Sequence, residues 1–101
     1  MANFDRETIA TQEQLNDAKQ KESMLVDKQL ELESRLLRLQ KERQTIETDD
    51  YVGYSAKEYR RLIAANDKEQ RAVRLQMRAN DAAILTAGKE VDALQLDVTS
   101  R

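Results

Sequence analysis

The sequence predicts an all-α protein: an antiparallel two-helix coiled-coil hairpin, which we expect to associate into a four-helix bundle or to pack on a partner. Three observations support this fold class. Charged residues make up 36% and aromatic residues 4% of the 101 residues, and proline is absent, a composition typical of long helices. Apolar residues recur at alternating spacings of three and four. One short segment near the middle of the chain interrupts that spacing. The whole chain, residues 1–101, is therefore predicted to be a single helical hairpin.

The first predicted helix spans about residues 5–48. Several of its core positions are polar, which predicts a seam of moderate stability that assembly would complete. In heptad notation, where positions a and d form the seam, its core residues are Phe4, Thr8, Thr11, Leu15, Ala18, Glu22, Leu25, Gln29, Leu32, Leu36, Leu39, Arg43 and Ile46.

The predicted turn spans about residues 49–54. Ile46 and Tyr59 share heptad position d, yet they are 13 residues apart where an unbroken helix requires 14. Gly53 is able to supply the positive φ of a turn. Asp49 and Asp50 suit the segment before a helix N-terminus, where negative charge is favourable. We therefore expect the chain to fold back here.

The second predicted helix spans about residues 55–98. Its first four residues, Ser55 to Glu58, match a capping box, in which Ser55 and Glu58 satisfy each other's backbone N–H groups. The heptad spacing continues through Gly88, which either permits a close approach or a bend of the two helices or is simply tolerated. The core residues are Tyr59, Ile63, Asn66, Gln70, Val73, Met77, Asn80, Ile84, Ala87, Val91, Leu94 and Val98.

Folding the helices together predicts one register. Asn66 and Asn80 occupy d positions, where a polar residue fixes register, unless each leans out toward solvent. A swapped dimer, in which helix two of one chain fills the seam of another, satisfies the same pairing. The predicted core pairs include Leu39–Asn66, Leu32–Val73, Leu25–Asn80 and Ala18–Ala87, and the predicted flanking ion pairs are Glu47–Arg60, Glu33–Arg74 and Arg35–Glu69.

Three of the four aromatic residues, Tyr51, Tyr54 and Tyr59, cluster around the predicted turn. We interpret Tyr59 as the first core layer, and Tyr51 and Tyr54 as caps over the closed end of the hairpin. The alternative is that this end contacts a partner, since tyrosine is enriched at binding hot spots.

Apolar residues also lie outside the predicted seam. Alanines at seven-residue spacing on helix two would let another helix approach closely, although alanine is also simply favourable on a helix surface. We interpret the off-seam residues, together with the two tyrosines of the turn, as a protein-binding surface. Its predicted residues are Ala65, Ala72, Leu75, Ala79, Leu30, Leu37, Tyr51 and Tyr54.

The sequence gives little basis for catalysis. Histidine and cysteine are absent, and no glycine-rich phosphate loop or metal-ligand spacing is present. We therefore predict that the protein is not an enzyme and has no catalytic, cofactor or metal site. Arg71, Arg74 and Arg78 share a helix face, but acidic residues interrupt it and no aromatic residue is available for base stacking. A solvated face therefore explains these arginines better than nucleic-acid binding.

We expect the protein in the cytoplasm or within a macromolecular assembly. Its N-terminal residues lack the cationic start and apolar run of a secretory signal. Its apolar runs are far shorter than the roughly 20 residues that span a bilayer, so no membrane association is predicted.

These observations predict a non-enzymatic structural or assembly protein, a homo-oligomer that scaffolds a larger complex such as a phage particle or a secretion apparatus. In architecture alone the hairpin resembles tubulin-binding cofactor A, stalk components of type III export and minor phage structural proteins. The alternative is a chaperone, adaptor or inhibitor that presents the off-seam residues, or the turn, to another protein.

Overall fold

The computed structural model describes the backbone of residues 2–48 and 53–99, and the side chains of residues 12–48 and 53–99. Within these ranges the chain forms two α-helices, α1 (Ala2–Thr48) and α2 (Ala56–Thr99), and no strand. The helices contact each other through residues far apart in the sequence, which confirms the predicted all-α helical hairpin. Tyr51, Asp49 and Asp50 lie outside the described residues.

The tertiary contacts divide the chain into two compact units, each of which contains part of both helices. The terminal unit joins Met1–Lys28 with Asn80–Arg101, and the central unit comprises Gln29–Ala79. That the chain is a single domain stays a prediction.

The core of the central unit is a cluster of three buried residues. Leu32 and Leu39 of α1 and Val73 of α2 are 6%, 6% and 1% exposed, and Leu36 and Met77 pack against them. All five occupy predicted a or d positions. Burying a side chain of this size contributes about 1.5–3 kcal/mol, so this cluster is the main apolar contribution to the unit.

Residue Ser55 determines where α2 begins. The Ser55 hydroxyl accepts a hydrogen bond of 3.2 Å from the backbone N–H of Glu58, and the Ser55 carbonyl accepts one of 2.9 Å from the N–H of Tyr59. The hydroxyl thereby satisfies one of the N–H groups that have no acceptor within the first helical turn. The expectation for Gly53 was wrong, because its φ is not positive and a Cβ there would meet no atom within 4 Å.

In the terminal unit, Leu15, Ala18 and Ala87 are buried. Helix α2 runs through Gly88 without ending, as the heptad spacing predicted. A Cβ at Gly88 would lie 3.2 Å from a carboxylate oxygen of the half-buried Glu22. The glycine therefore gives room to a charged side chain that occupies a core position of α1.

Two leucines on α1 provide a direct test of the seam. Leu32→Ala removes a buried side chain and should lower the free energy of unfolding by about 2–5 kcal/mol. Leu30→Ala, two residues earlier, removes a side chain that is 59% exposed. It should change the free energy by no more than about 0.5 kcal/mol. Urea unfolding followed by circular dichroism at low protein concentration measures both, and equal effects would contradict the assigned seam.

Candidate protein-interaction surfaces

A series of hydrogen-bonded polar side chains, the polar network, crosses the seam in the central unit. Asn66, 4% exposed, donates a hydrogen bond of 2.9 Å from its side-chain amide to the backbone carbonyl of Leu39. Gln70 donates to the Asn66 side-chain oxygen at 2.7 Å, and Arg74 donates to the Gln70 side-chain oxygen at 3.3 Å. The polar network connects the α1 backbone to the edge of the hairpin. Its first hydrogen bond joins Leu39 and Asn66, which were predicted to pair.

The terminal unit contains a second contact of this kind. Asn80, also 4% exposed, donates a hydrogen bond of 2.8 Å to the backbone carbonyl of Leu25, its predicted partner. Both asparagines therefore point into the seam, and the alternative that they lean toward solvent is wrong. Within the described part of the chain, every buried side-chain nitrogen or oxygen has a hydrogen-bond partner.

Arg43 occupies a core position but keeps its guanidinium at the edge of the seam. It forms an ion pair of 3.0 Å with Glu47 on its own helix and a second with Asp67 across the seam. The two carboxylates explain why an arginine is tolerated there. These side chains are 36–48% exposed, so each pair contributes at most about 1 kcal/mol.

The flanking ion pairs expected from the sequence were wrong. Among the described residues, none of the three pairs brings a side-chain nitrogen within 4.0 Å of a carboxylate oxygen. Glu47 pairs with Arg43 instead, and Arg74 donates to an amide oxygen. Consequently neither Glu33 nor Arg60 has an oppositely charged partner within 4.0 Å among the residues that the structure describes.

The predicted protein-binding residues that the structure describes are all exposed. Leu30, Leu37 and Leu75 are 59%, 58% and 63% exposed, far more than expected for leucine in a folded core. Tyr54 is 39% exposed, and Tyr51 lies outside the described residues. The exposed alanines of the set are Ala65, Ala72 and Ala79.

These residues do not form one surface. On a coiled-coil helix, position f lies about 180° from the seam, and positions b and c lie about 130° from it in opposite directions. Ala65, Ala72 and Ala79 occupy c, and Leu75 occupies f, so these four form one surface on the outside of α2, the outer stripe. Leu30 and Leu37 occupy b of α1 and border the opposite edge of the hairpin. Tyr54 is a third, separate site.

Two large apolar residues of the terminal unit, not among those predicted to bind a partner, are also exposed. Met24 is 65% and Leu85 is 64% exposed. Met24 lines an open groove on α1 with Lys21 and Lys28. The heptad template could have identified both, because Met24 and Leu85 occupy c and b positions outside the seam.

Other chemistry finds little support in the described residues. They contain no group of three or more acidic, histidine or cysteine side chains arranged to hold a metal ion. No helix among them is long and apolar enough to cross a membrane.

Comparison with known proteins adds no relationship. No protein-family model, no curated protein and no solved structure matches this chain.

The polar network predicts energetic coupling between Asn66 and Gln70. Asn66→Ala leaves the buried Gln70 amide without its acceptor, which should cost about 1–3 kcal/mol of unfolding free energy. Adding Gln70→Ala should then cost less than it does in the wild type, with a coupling energy of about 0.5–3 kcal/mol. A double-mutant cycle by urea unfolding measures this. The pair Asn66→Ala and Leu30→Ala serves as the control and should be additive. Additive effects of Asn66→Ala and Gln70→Ala would contradict the hydrogen bond between these two side chains.

Proposed function

We propose that the protein is a non-enzymatic assembly component, a helical hairpin that self-associates through the outer stripe of α2. The observation that carries this proposal is the exposure of all four stripe residues in the single chain. An apolar row of this kind on a helix that already has one buried face is typical of a helix with a second packing partner.

The composition of the outer stripe suits contact with a second α2. Ala72 and Ala79 are small enough to let two helix axes approach to about 8 Å, the short end of helix packing distances. In an antiparallel pair of α2 helices, Leu75 of each copy would lie against Ala79 of the other. Burying each Leu75 would contribute about 1.5–3 kcal/mol. Such a pair of hairpins makes a four-helix homo-oligomer.

The setting that we propose is a larger protein complex, such as a phage particle or a secretion apparatus, in which the hairpin is a structural unit. Its partner is protein, either another copy or another helical protein. The proposed location is the cytoplasm or the assembly itself.

Carboxylates placed in the outer stripe should break this contact. Ala72→Glu with Ala79→Glu would put charges where two helices pack, so the molar mass measured by light scattering during size-exclusion chromatography should fall. Helicity should change little, because glutamate is a good helix former. The matched control, Gln20→Glu with Ser34→Glu, adds two carboxylates to the exposed outer face of α1 and should leave the mass unchanged. An unchanged mass in the stripe variant across a wide concentration range would contradict the proposal.

A second candidate function is a binding module, a chaperone, adaptor or inhibitor that uses the turn. The exposure of Tyr54, directly before the Ser55 cap of α2, favours it. Tyr54→Ala, alone or with Tyr51→Ala, should then weaken binding of the partner protein without lowering the melting temperature. Tyr54→Phe, which keeps the ring, is the control. Loss of stability in place of loss of binding would identify Tyr54 as a structural cap.

A further inference from the structure

The outer stripe does not account for the exposed leucines of α1. Leu30 and Leu37 are 59% and 58% exposed in the single chain. Covering the outer stripe would not bury them, because they border the opposite edge of the hairpin. The ion pairs of Arg43 identify what else borders that edge. Arg43 reaches Glu47 on α1 and Asp67 on α2, both at heptad position e, so the e positions of the two helices line the same edge.

Two rows of residues at positions b and e therefore lie side by side on this edge of the central unit, which we term the flank. The α1 row is apolar and acidic, whereas the α2 row is basic apart from Asp67. Between residues 30 and 40 the α1 row consists of Leu30, Glu33, Leu37 and Gln40, and the part of the α2 row that lies beside it consists of Asp67, Arg71, Arg74 and Arg78.

Apart from that of Asp67, the charges of the two rows have no ion-pair partner among the described residues. The single carboxylate of the α2 row, that of Asp67, is paired with Arg43. Within the part of the chain that the structure describes, no opposite charge lies within 4.0 Å of Glu33, Arg71 or Arg78. Arg74 donates to the neutral Gln70. The flank thus presents an acidic, leucine-bearing row beside a basic row.

We propose that a second copy of the chain seats on the flank, with the turns of both copies at the same end and α1 of each copy on α2 of the other. This inference rests on the proposed self-association and adds a second contact to it. A two-fold axis parallel to the helices exchanges the two rows, so each acidic row meets a basic row. Charge complementarity therefore selects the second copy and its orientation.

The register of the seam sets which residues meet. Leu32 packs with Val73 inside one hairpin, and Leu39 contacts Asn66, so Glu33 and Arg74 lie at nearly the same height. In the two-fold pair, Glu33 of one copy therefore lies opposite Arg74 of the other, with Arg71 and Arg78 about one turn away on either side. The leucines lie on the aliphatic stems of the arginines, a surface that long cationic side chains commonly supply.

Two other arrangements fit the flank less well. Turning the second copy end over end would place the arginine row of one α2 on that of the other, which like-charge repulsion opposes. Nucleic acid would be attracted by the arginines but repelled by Glu33, and it would leave the leucines without an apolar partner. A contact on the flank and another on the outer stripe are two different two-fold contacts, so together they extend assembly beyond a dimer.

A charge exchange tests this contact. The acidic variant is Arg71→Glu with Arg78→Glu, and the basic variant is Glu33→Arg with Gln40→Arg. Each alone opposes like charges at both row contacts and should weaken association about tenfold or more. Mixed one to one, the two variants again place an acidic row on a basic row in both contacts, so association should return. Sedimentation velocity at several concentrations and salt levels measures this, and circular dichroism checks that each variant is folded.

The control variant, Glu31→Arg with Ser34→Arg, makes the same change in net charge as the basic variant, but at exposed positions away from the flank. It should associate like the wild type. Normal association of the acidic and basic variants, or failure of their mixture to associate, would overturn the flank contact. If the outer-stripe variant still has a lower molar mass than the wild type, the proposed function stands without the flank contact. A wild type that is monomeric at every concentration would overturn both. Binding of an oligonucleotide that the acidic variant loses, with unchanged sedimentation, would assign the flank to nucleic acid instead.

Discussion

A pair of helices can bury only the narrow strip along which the two cylinders touch. Every other feature of this molecule depends on that constraint. Seven apolar residues of the described chain are buried, and each occupies position a or d. A core of this size stabilises a chain only modestly. It also leaves leucines such as Leu30 and Leu75 in water, where a larger domain would cover them. We propose that the hairpin is part of an assembly because its two helices alone cannot cover these leucines.

The seam uses part of its small area for polar contacts. Asn66 and Asn80 each donate to a carbonyl of α1, and Gln70 extends the first of these contacts toward the edge. An apolar residue at these positions would stabilise the pair more, but it would not distinguish one alignment of two long helices from another. The polar layers and the Ser55 cap together explain how a chain of two repetitive helices adopts one alignment.

The features predictable from the sequence were those set by periodicity and by local chemistry. Heptad spacing predicted both helices and the pairing of Leu39 with Asn66 and of Leu25 with Asn80, since a seam between two helices leaves few ways to bury the apolar residues. The serine before α2 was recognisable because capping depends on residues within one turn.

The ion-pair partners of long charged side chains were not predictable in this way. Glu47 was expected to reach Arg60 but pairs with Arg43, because flexible charged side chains choose among several partners of nearly equal energy. The positive φ expected for Gly53 failed because the course of the turn was inferred from residue type alone. Heptad geometry separates the outer stripe of Ala72 and Leu75 from the flank of Leu30. Which molecule covers each surface depends on a second chain, whose contacts one sequence does not encode directly.

Disulfide formation across the seam tests the central claim, an antiparallel pair in one alignment within one chain. The protein has no cysteine, so an introduced pair reports on its own geometry. Leu32→Cys with Val73→Cys should form a disulfide readily within one chain. Leu39→Cys with Val73→Cys should not, because seven residues along a helix add about 10 Å and a disulfide needs Cα atoms within about 7 Å. A disulfide in the shifted pair would contradict the alignment, and a product of doubled mass on a non-reducing gel would mean that the seam is formed between chains.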